Sequence, residues 1–215
     1  MGESGSGKST LGYSLMNLIE KAKGEIYFEN RLISNLNKKE LRELRKDIQI
    51  IFQNPYSSLN PRIRIGEALE EVLKVHKIGN NSKERKEEVI KMLERVGLEK
   101  EHYNRYPHEF SGGQRQRIGI ARSLLLRPKI VICDESVSAL DVRVQAQILS
   151  LLNELKKEFS LTFIFITHDL GVVRFMSDRI MVMQRGEIVE MERTDKLFEN
   201  PQTQYTQKLI SSIPN

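Results

Sequence analysis

Three short stretches of this 215-residue chain carry residue types whose spacing suits the handling of a polyphosphate. Gly2-Glu3-Ser4-Gly5-Ser6-Gly7-Lys8-Ser9 fits the pattern G-x-x-x-x-G-K-[ST] at every position. Glycines let backbone N–H groups wrap phosphate oxygens, Lys8 reaches the terminal phosphates, and the Ser9 hydroxyl ligates a magnesium ion. Far downstream, Asp134-Glu135 closes the apolar, β-branched run Ile130-Val131-Ile132-Cys133, which suits a buried parallel strand. Open α/β sheets place their ligands at the carboxyl ends of such strands. Side chains alternate along a strand, so the two carboxylates need not share a task. One can hold magnesium, through water if need be, while the other faces an attacking water as base or orienter.

The third stretch is Ser111-Gly112-Gly113-Gln114, which precedes Ile118, Ala121, Leu124 and Leu125 at the spacing of an amphipathic helix. Ser111 is placed as the helix N-cap. Two residues without side chains then let a phosphate approach the free N–H groups and positive dipole end of that helix. Taken singly, Ser-Gly-Gly reads as a loop before a helix and an isolated Asp-Glu pair as a solvated strand end. Joined to the glycine-rich loop at the start of the chain, the two acquire a common purpose in nucleotide chemistry.

These residues need a scaffold, and its elements are readable. After the loop, Thr10 to about Lys21 carries Leu11, Leu15, Leu18 and Ile19 at helical spacing. Gly24 to Glu29 alternates as a strand, and Glu29-Asn30-Arg31 turns it toward Leu32-Ile33. Lys38 to Asp47 reads as a charged helix and Ile48 to Phe52 as a buried strand. Gln53 opens a change of texture, because Asn54-Pro55 and Asn60-Pro61 disfavour helix. Helices follow over Ile65 to Val75 and Ser82 to Val96, so an all-helical insert separates two halves of an α/β core. Pro128 stops the helix that Ser111 begins.

Composition narrows the classes. A chain of 215 residues with 39% hydrophobic residues can bury one domain with a subdomain. The net charge of +5 is interspersed, as in Lys83-Glu84-Arg85-Lys86-Glu87-Glu88, and does not argue for nucleic acid. The single cysteine, Cys133, excludes an internal disulfide framework and is expected to pack in its strand. No apolar run approaches the ~20 residues that span a bilayer, and no signal peptide is expected. His76, His102 and His108 do not recur at metal-ligand spacing.

Taken together, the motifs resemble the ATP-binding subunit of an ABC transporter over essentially the whole chain. In that resemblance Gln53 is the Q-loop, Ser111 to Gln114 the signature, Ile130 to Glu135 the Walker B strand, Ser138-Ala139-Leu140-Asp141 the D-loop, and His168, after the strand Thr162 to Thr167, the switch histidine. It implies an α/β fold, a P-loop NTPase core of ABC ATPase type with an inserted helical subdomain. The boundaries would be 1–53 for the first part of the core, 54–127 for the helical subdomain with the signature, 128–190 for the second part and 191–215 for a C-terminal helical segment. The wording FQNPYSSLNPR and VSALDV looks most like the oligopeptide and dipeptide importer branch, which includes nickel and glutathione importers. The tail from Asn200-Pro201 through Tyr205-Thr206 to Ile213-Pro214 partly matches that branch, with Thr203 and Gln204 in place of its usual His-Pro.

The resemblance further implies a site. Gly2 to Thr10, Ser111 to Gln114 and Asp141 would bind ATP, with Ser9, Gln53 and Asp134 serving Mg2+. Glu135 would orient or deprotonate the water, His168 contact the γ-phosphate and Gln53 sense the metal and water. Two ATPase subunits, identical or homologous, would pair head to tail, and the insert would dock on two membrane-spanning permease subunits served by an extracytoplasmic binding protein. The setting implied is the cytoplasmic face of a bacterial or archaeal membrane. A soluble ABC protein acting on ribosomes or DNA, and an inactive fragment, are the competing readings. The family has a strand and an adenine-stacking aromatic residue upstream of its phosphate loop, so missing N-terminal strands, from truncation or a misplaced start, are expected here. Base stacking on an aromatic ring is worth about 1–3 kcal/mol.

Overall fold

In the computed structural model the described residues are 1–19, 23–53 and 59–212. Expectations that fall on Lys21, on 54–58 and on 213–215 lie outside them. In chain order the elements are α1 (Lys8–Leu15), β1 (Tyr27–Phe28), β2 (Arg31–Leu32), α2 (Lys38–Asp47), β3 (Ile48–Ile51), α3 (Ile65–Val75), α4 (Ser82–Arg95), α5 (Gly112–Leu124), β4 (Ile130–Asp134), α6 (Val142–Glu158), β5 (Thr162–Ile166), α7 (Leu170–Met176), β6 (Arg179–Gln184), β7 (Glu187–Arg193), α8 (Thr194–Glu199) and α9 (Gln204–Ser211). Among the described residues no helix is long and apolar enough to cross a membrane.

Two units divide the chain, Met1–Leu41 with Phe165–Asn215, and Arg42–Ile164. The second is built on a sheet of order β3-β4-β5 in which β3 and β4 run parallel, Ile48 beside Ile130 and Ile51 beside Cys133. Val131, Ile132 and Cys133 are all fully buried, the signature of a strand covered on both faces. Burial pushes the Cys133 thiol up to about 12, consistent with a packing role. Ile65, Leu69 and Leu73 of α3 are wholly buried at four-residue spacing, together with Val89 and Leu93 of α4 and Ile118, Ala121 and Leu124 of α5. Gly66 lets α3 pack closely, because a Cβ there would lie 2.3 Å from the Tyr103 ring.

The first unit holds two hairpins. Tyr27 pairs with Leu32 and Phe28 with Arg31 across Glu29 and Asn30, which both take positive φ in a two-residue turn. β6 and β7 are antiparallel with a bulge between Val182 and Met183 and turn at Arg185-Gly186, again with positive φ at both. Their inner face forms a core of Met1, Val173, Ile180, Val182 and Leu197, against which Tyr205, Leu209 and Ile210 of α9 pack. The backbone of Met1 lies along β6, its carbonyl accepting from Met183 N–H at 2.8 Å.

The first helix is shorter than the apolar spacing predicts. α1 ends at Leu15, Asn17 takes a left-handed φ of 51°, and the Leu18 N–H turns back to the Tyr13 carbonyl at 2.9 Å. This is a helix stop that asparagine tolerates, and it leaves Leu18 and Ile19 exposed rather than on the helix face. The strand expected over 24–29 is likewise confined to Tyr27–Phe28.

A carboxylate holds α9 in place. Glu190 of β7 accepts from Gln202 N–H at 2.9 Å and from Thr203 N–H and hydroxyl at 3.1 and 3.0 Å, while the Thr203 hydroxyl caps α9 through Thr206 N–H at 3.1 Å. Partial burial pushes the Glu190 carboxyl up, but these donors outweigh it and hold it below its ordinary value. A depressed folded pKa adds stability that is fully present above the ordinary carboxylate range and is lost as pH falls through the folded value. The difference in urea midpoint between wild type and Glu190→Gln is therefore expected to be widest at neutral pH and to close in acid; a pH-independent difference would contradict this role.

Candidate functional site

The glycine-rich loop lies in the first unit. Gly5 and Gly7 have φ of 80° and 95°, and Gly7 is the N-cap of α1 without any side-chain cap. Such backbone is natural to glycine, and with no acidic residue in the first turn of α1 the positive dipole end stays uncompensated there. Lys8 is buried, its Nζ donating to the carbonyls of Gly2 at 2.9 Å and Glu3 at 2.7 Å and to Ser6 Oγ at 3.3 Å. Ser9 and Thr10 stand in the first turn, Glu3 and Ser4 on the exposed rim. The loop is tied to its unit by Gly186 N–H on the Ser6 carbonyl at 3.0 Å and by Glu3 N–H on the Tyr205 hydroxyl at 3.0 Å. Gly2 has a steric reason as well: a Cβ would lie 2.1 Å from the Met183 carbonyl oxygen.

His168 follows β5 and is exposed, between buried Thr167 and Asp169. Asp169 caps α7 through Gly171 and Val172 N–H at 2.8 and 3.1 Å, and its own N–H donates to Thr167 Oγ1 at 3.0 Å. The histidine thus sits on a short segment fixed at both sides.

The remaining residues belong to the second unit. Because β3 and β4 run parallel in register, their carboxyl ends, Ile51 and Asp134, lie at the same end of the sheet. There the Gln53 amide Nε2 donates to Glu135 Oε2 at 2.8 Å. Asp134 is buried, whereas Glu135 is half-buried with a left-handed φ of 45°, so the chain turns sharply between them. The Glu135 carbonyl accepts from Ser138 N–H at 3.1 Å and Ser138 Oγ at 3.0 Å, which closes the turn that presents its side chain. Asp141 caps α6, its Oδ1 accepting from Val144 N–H at 3.0 Å.

The signature stretch begins α5 with a capping box. Ser111 Oγ accepts from Gln114 N–H at 3.3 Å while Gln114 Oε1 accepts from Ser111 N–H at 2.9 Å. Gly113 has a packing role that the sequence does not announce, since a Cβ there would lie 2.6 Å from the Val144 side chain on α6. Gly112 meets only Leu140 at 3.7 Å.

Ser9 hydroxyl in the first unit, and Gln53 carboxamide and Asp134 carboxylate in the second, each offer the oxygen that a hard cation prefers. Among the described residues no cluster of three or more His, Cys, Asp or Glu could hold a metal ion. The sequence reading missed Tyr205 and the hairpin residues Met183 and Gly186. The only signal for them was the unassigned tail motif around Tyr205.

A family model described as ABC transporter matches residues 1–138. The chain is 51% identical over 215 residues to the oligopeptide transport ATP-binding protein OppF of Bacillus subtilis, covering all of itself and 70% of that protein. It is 52% identical over 214 residues to the glutathione import ATP-binding protein GsiA of Pectobacterium atrosepticum, of which it spans 34%. Among solved structures, the dimeric post-hydrolysis state of the ATP-binding cassette MJ0796 bound to ADP and Pi superposes with a TM-score of 0.79 at 34% identity, over 90% of this chain and 83% of that one. CbiO1 of Clostridium perfringens, part of the ABC transporter complex cbiONQ, gives 0.82 at 30% identity, over 93% and 78%.

Forcing a methyl group against the Met183 carbonyl is expected to destabilise Gly2→Ala by about 1–3 kcal/mol, read as a lowered urea midpoint without nucleotide. An unchanged midpoint would show that the close approach of Gly2 to β6 is dispensable.

Proposed function

Because the chain belongs to the ABC transporter family, we propose that it is the ATP-binding and hydrolysing subunit of an importer that couples ATP hydrolysis to peptide uptake. The relatives OppF and GsiA carry oligopeptide and glutathione in their names, and both cargoes are peptidic, which supports a short peptide as the transported class. Its partners are two membrane-spanning subunits, an extracytoplasmic binding protein that delivers substrate to them, and a second ATPase subunit in head-to-tail pairing. The chain works at the cytoplasmic face of the membrane. The segment 54–127 carries movement to the membrane partner.

Each side chain has one task. The loop amides from Gly2 to Thr10 enclose the phosphates of ATP, and the Lys8 ammonium pairs with phosphate oxygens, whose full charge attracts it more strongly than neutral oxygens do. Ser9, Asp134 and Gln53 would hold Mg2+, which when bound would neutralise charge on the phosphates. From the paired subunit, Ser111 and Gly113 cover the γ-phosphate, with Gly112, Gln114 and Asp141 shaping that surface. Glu135 takes or orients the proton of the attacking water, and His168 contacts the γ-phosphate. Catalysis here is chiefly positioning and charge stabilisation.

The observation that carries this reading is the 2.8 Å bond from Gln53 to Glu135. It joins Gln53, the residue just before the insert, to the carboxylate assigned to water, so movement of the insert and readiness for hydrolysis share a contact.

Glu135→Gln is expected to lower ATP turnover by about 10²–10⁴-fold while ATP-dependent pairing persists in size-exclusion chromatography. Unchanged turnover would remove Glu135 from its role. Recovery of the tagged chain with ribosomes instead of the membrane fraction would favour a soluble ABC protein.

A further inference from the structure

The phosphate loop has one tie that neither its motif nor its strand environment requires. Glu3 N–H donates to the hydroxyl of Tyr205, a residue 202 positions later on α9, at 3.0 Å. The same peptide unit carries the Gly2 carbonyl, which accepts from Lys8 Nζ at 2.9 Å. In a trans peptide the N–H and C=O point in opposite directions within one plane. Fixing the N–H on Tyr205 therefore fixes the direction in which the carbonyl meets the lysine, and bonds at the two ends of a peptide polarise one another in the same sense.

Tyr205 is itself well placed to act as a fixed point. Its ring packs partly buried on the core of Met1, Val173, Ile180, Val182 and Leu197, alongside Leu209 and Ile210. The start of its helix is clamped by Glu190 through Gln202 and Thr203, and by the 2.8 Å contact between the Thr203 and Thr206 hydroxyls. A tyrosine so held has few torsions left to lose.

We propose that Tyr205 is a positioning residue for the phosphate loop, orienting the Gly2–Glu3 peptide and through it Lys8. The inference rests on the reading of this loop as the ATP site. It gives the C-terminal helix a part in nucleotide binding: the Tyr205 hydroxyl supplies ordering that the loop would otherwise still require when ATP arrives.

Tyr205→Phe removes the hydroxyl and keeps the ring. In the full chain it is expected to speed amide exchange at Glu3 without nucleotide. Affinity for ATP with magnesium should fall about three- to tenfold, the range of one solvent-accessible hydrogen bond. KM for ATP should rise in step while kcat stays within about twofold. Leu209→Ala, which trims the packing of α9 and leaves the hydroxyl, should lower the melting temperature with Glu3 exchange and ATP affinity unchanged in the folded range. Wild-type exchange at Glu3 and wild-type ATP affinity in Tyr205→Phe would overturn the proposal, and so would an equal loss of ATP affinity in Leu209→Ala. If the wild-type chain bound no ATP, the reading of the loop would fail, and Glu3 exchange in Tyr205→Phe would still decide whether the tether exists.

Discussion

The parallel register of β3 on β4 is the constraint on which the placement of Gln53, Asp134 and Glu135 depends. Ile51 beside Cys133 brings the carboxyl ends of the two strands to the same end of the sheet, and the Gln53–Glu135 bond of 2.8 Å follows from it. A shift of one residue would exchange the faces of every side chain on the moved strand. Buried Asp134 and the half-buried, left-handed Glu135 would then no longer divide between the sheet end and the turn. Val131, Ile132 and Cys133 are fully buried immediately before these two carboxylates. Core packing and chemistry are thus joined in one strand.

The phosphate loop is held by a different device. Its shape comes from backbone bonds to the β6–β7 hairpin and from the Tyr205 hydroxyl, with positive φ at Gly5 and Gly7. Lys8 is meanwhile bonded to three neutral oxygens of its own loop. A charged phosphate oxygen attracts the ammonium more strongly than these neutral ones do.

Much of this was legible in the chain because the signals are local. Ser111 caps the helix that begins beside it, and the spacing of Ile65, Leu69 and Leu73 marks the buried face of α3. Contiguous motifs announce Gly2 to Ser9 and Asp134-Glu135, whereas Gln53 and His168 are single residues that only the family resemblance singles out. The misread end of α1 has a local cause too: Leu18 and Ile19 continue the apolar spacing, but Asn17 adopts a left-handed conformation that periodicity does not see. What sequence alone could not supply is contact across long separations. Glu3 with Tyr205, and Gly2 with Met183, are partners that no window of neighbouring residues contains.

The glycines make the same point in steric terms. Gly5 and Gly7 are needed for a backbone conformation, and a Cβ on Gly5 would meet nothing within 4 Å. Gly113 is needed because its neighbour is close, since Val144 of α6 occupies the space a side chain would take. Gly2 answers to both demands, with φ of 148° and the Met183 carbonyl at 2.1 Å from a would-be Cβ. A motif written as a string of glycines hides this difference. The phosphate loop therefore depends on β6 for its fit as much as on its own residues, and the signature helix depends on α6. Each stretch that reads as self-contained in sequence is completed by an element far from it in the chain.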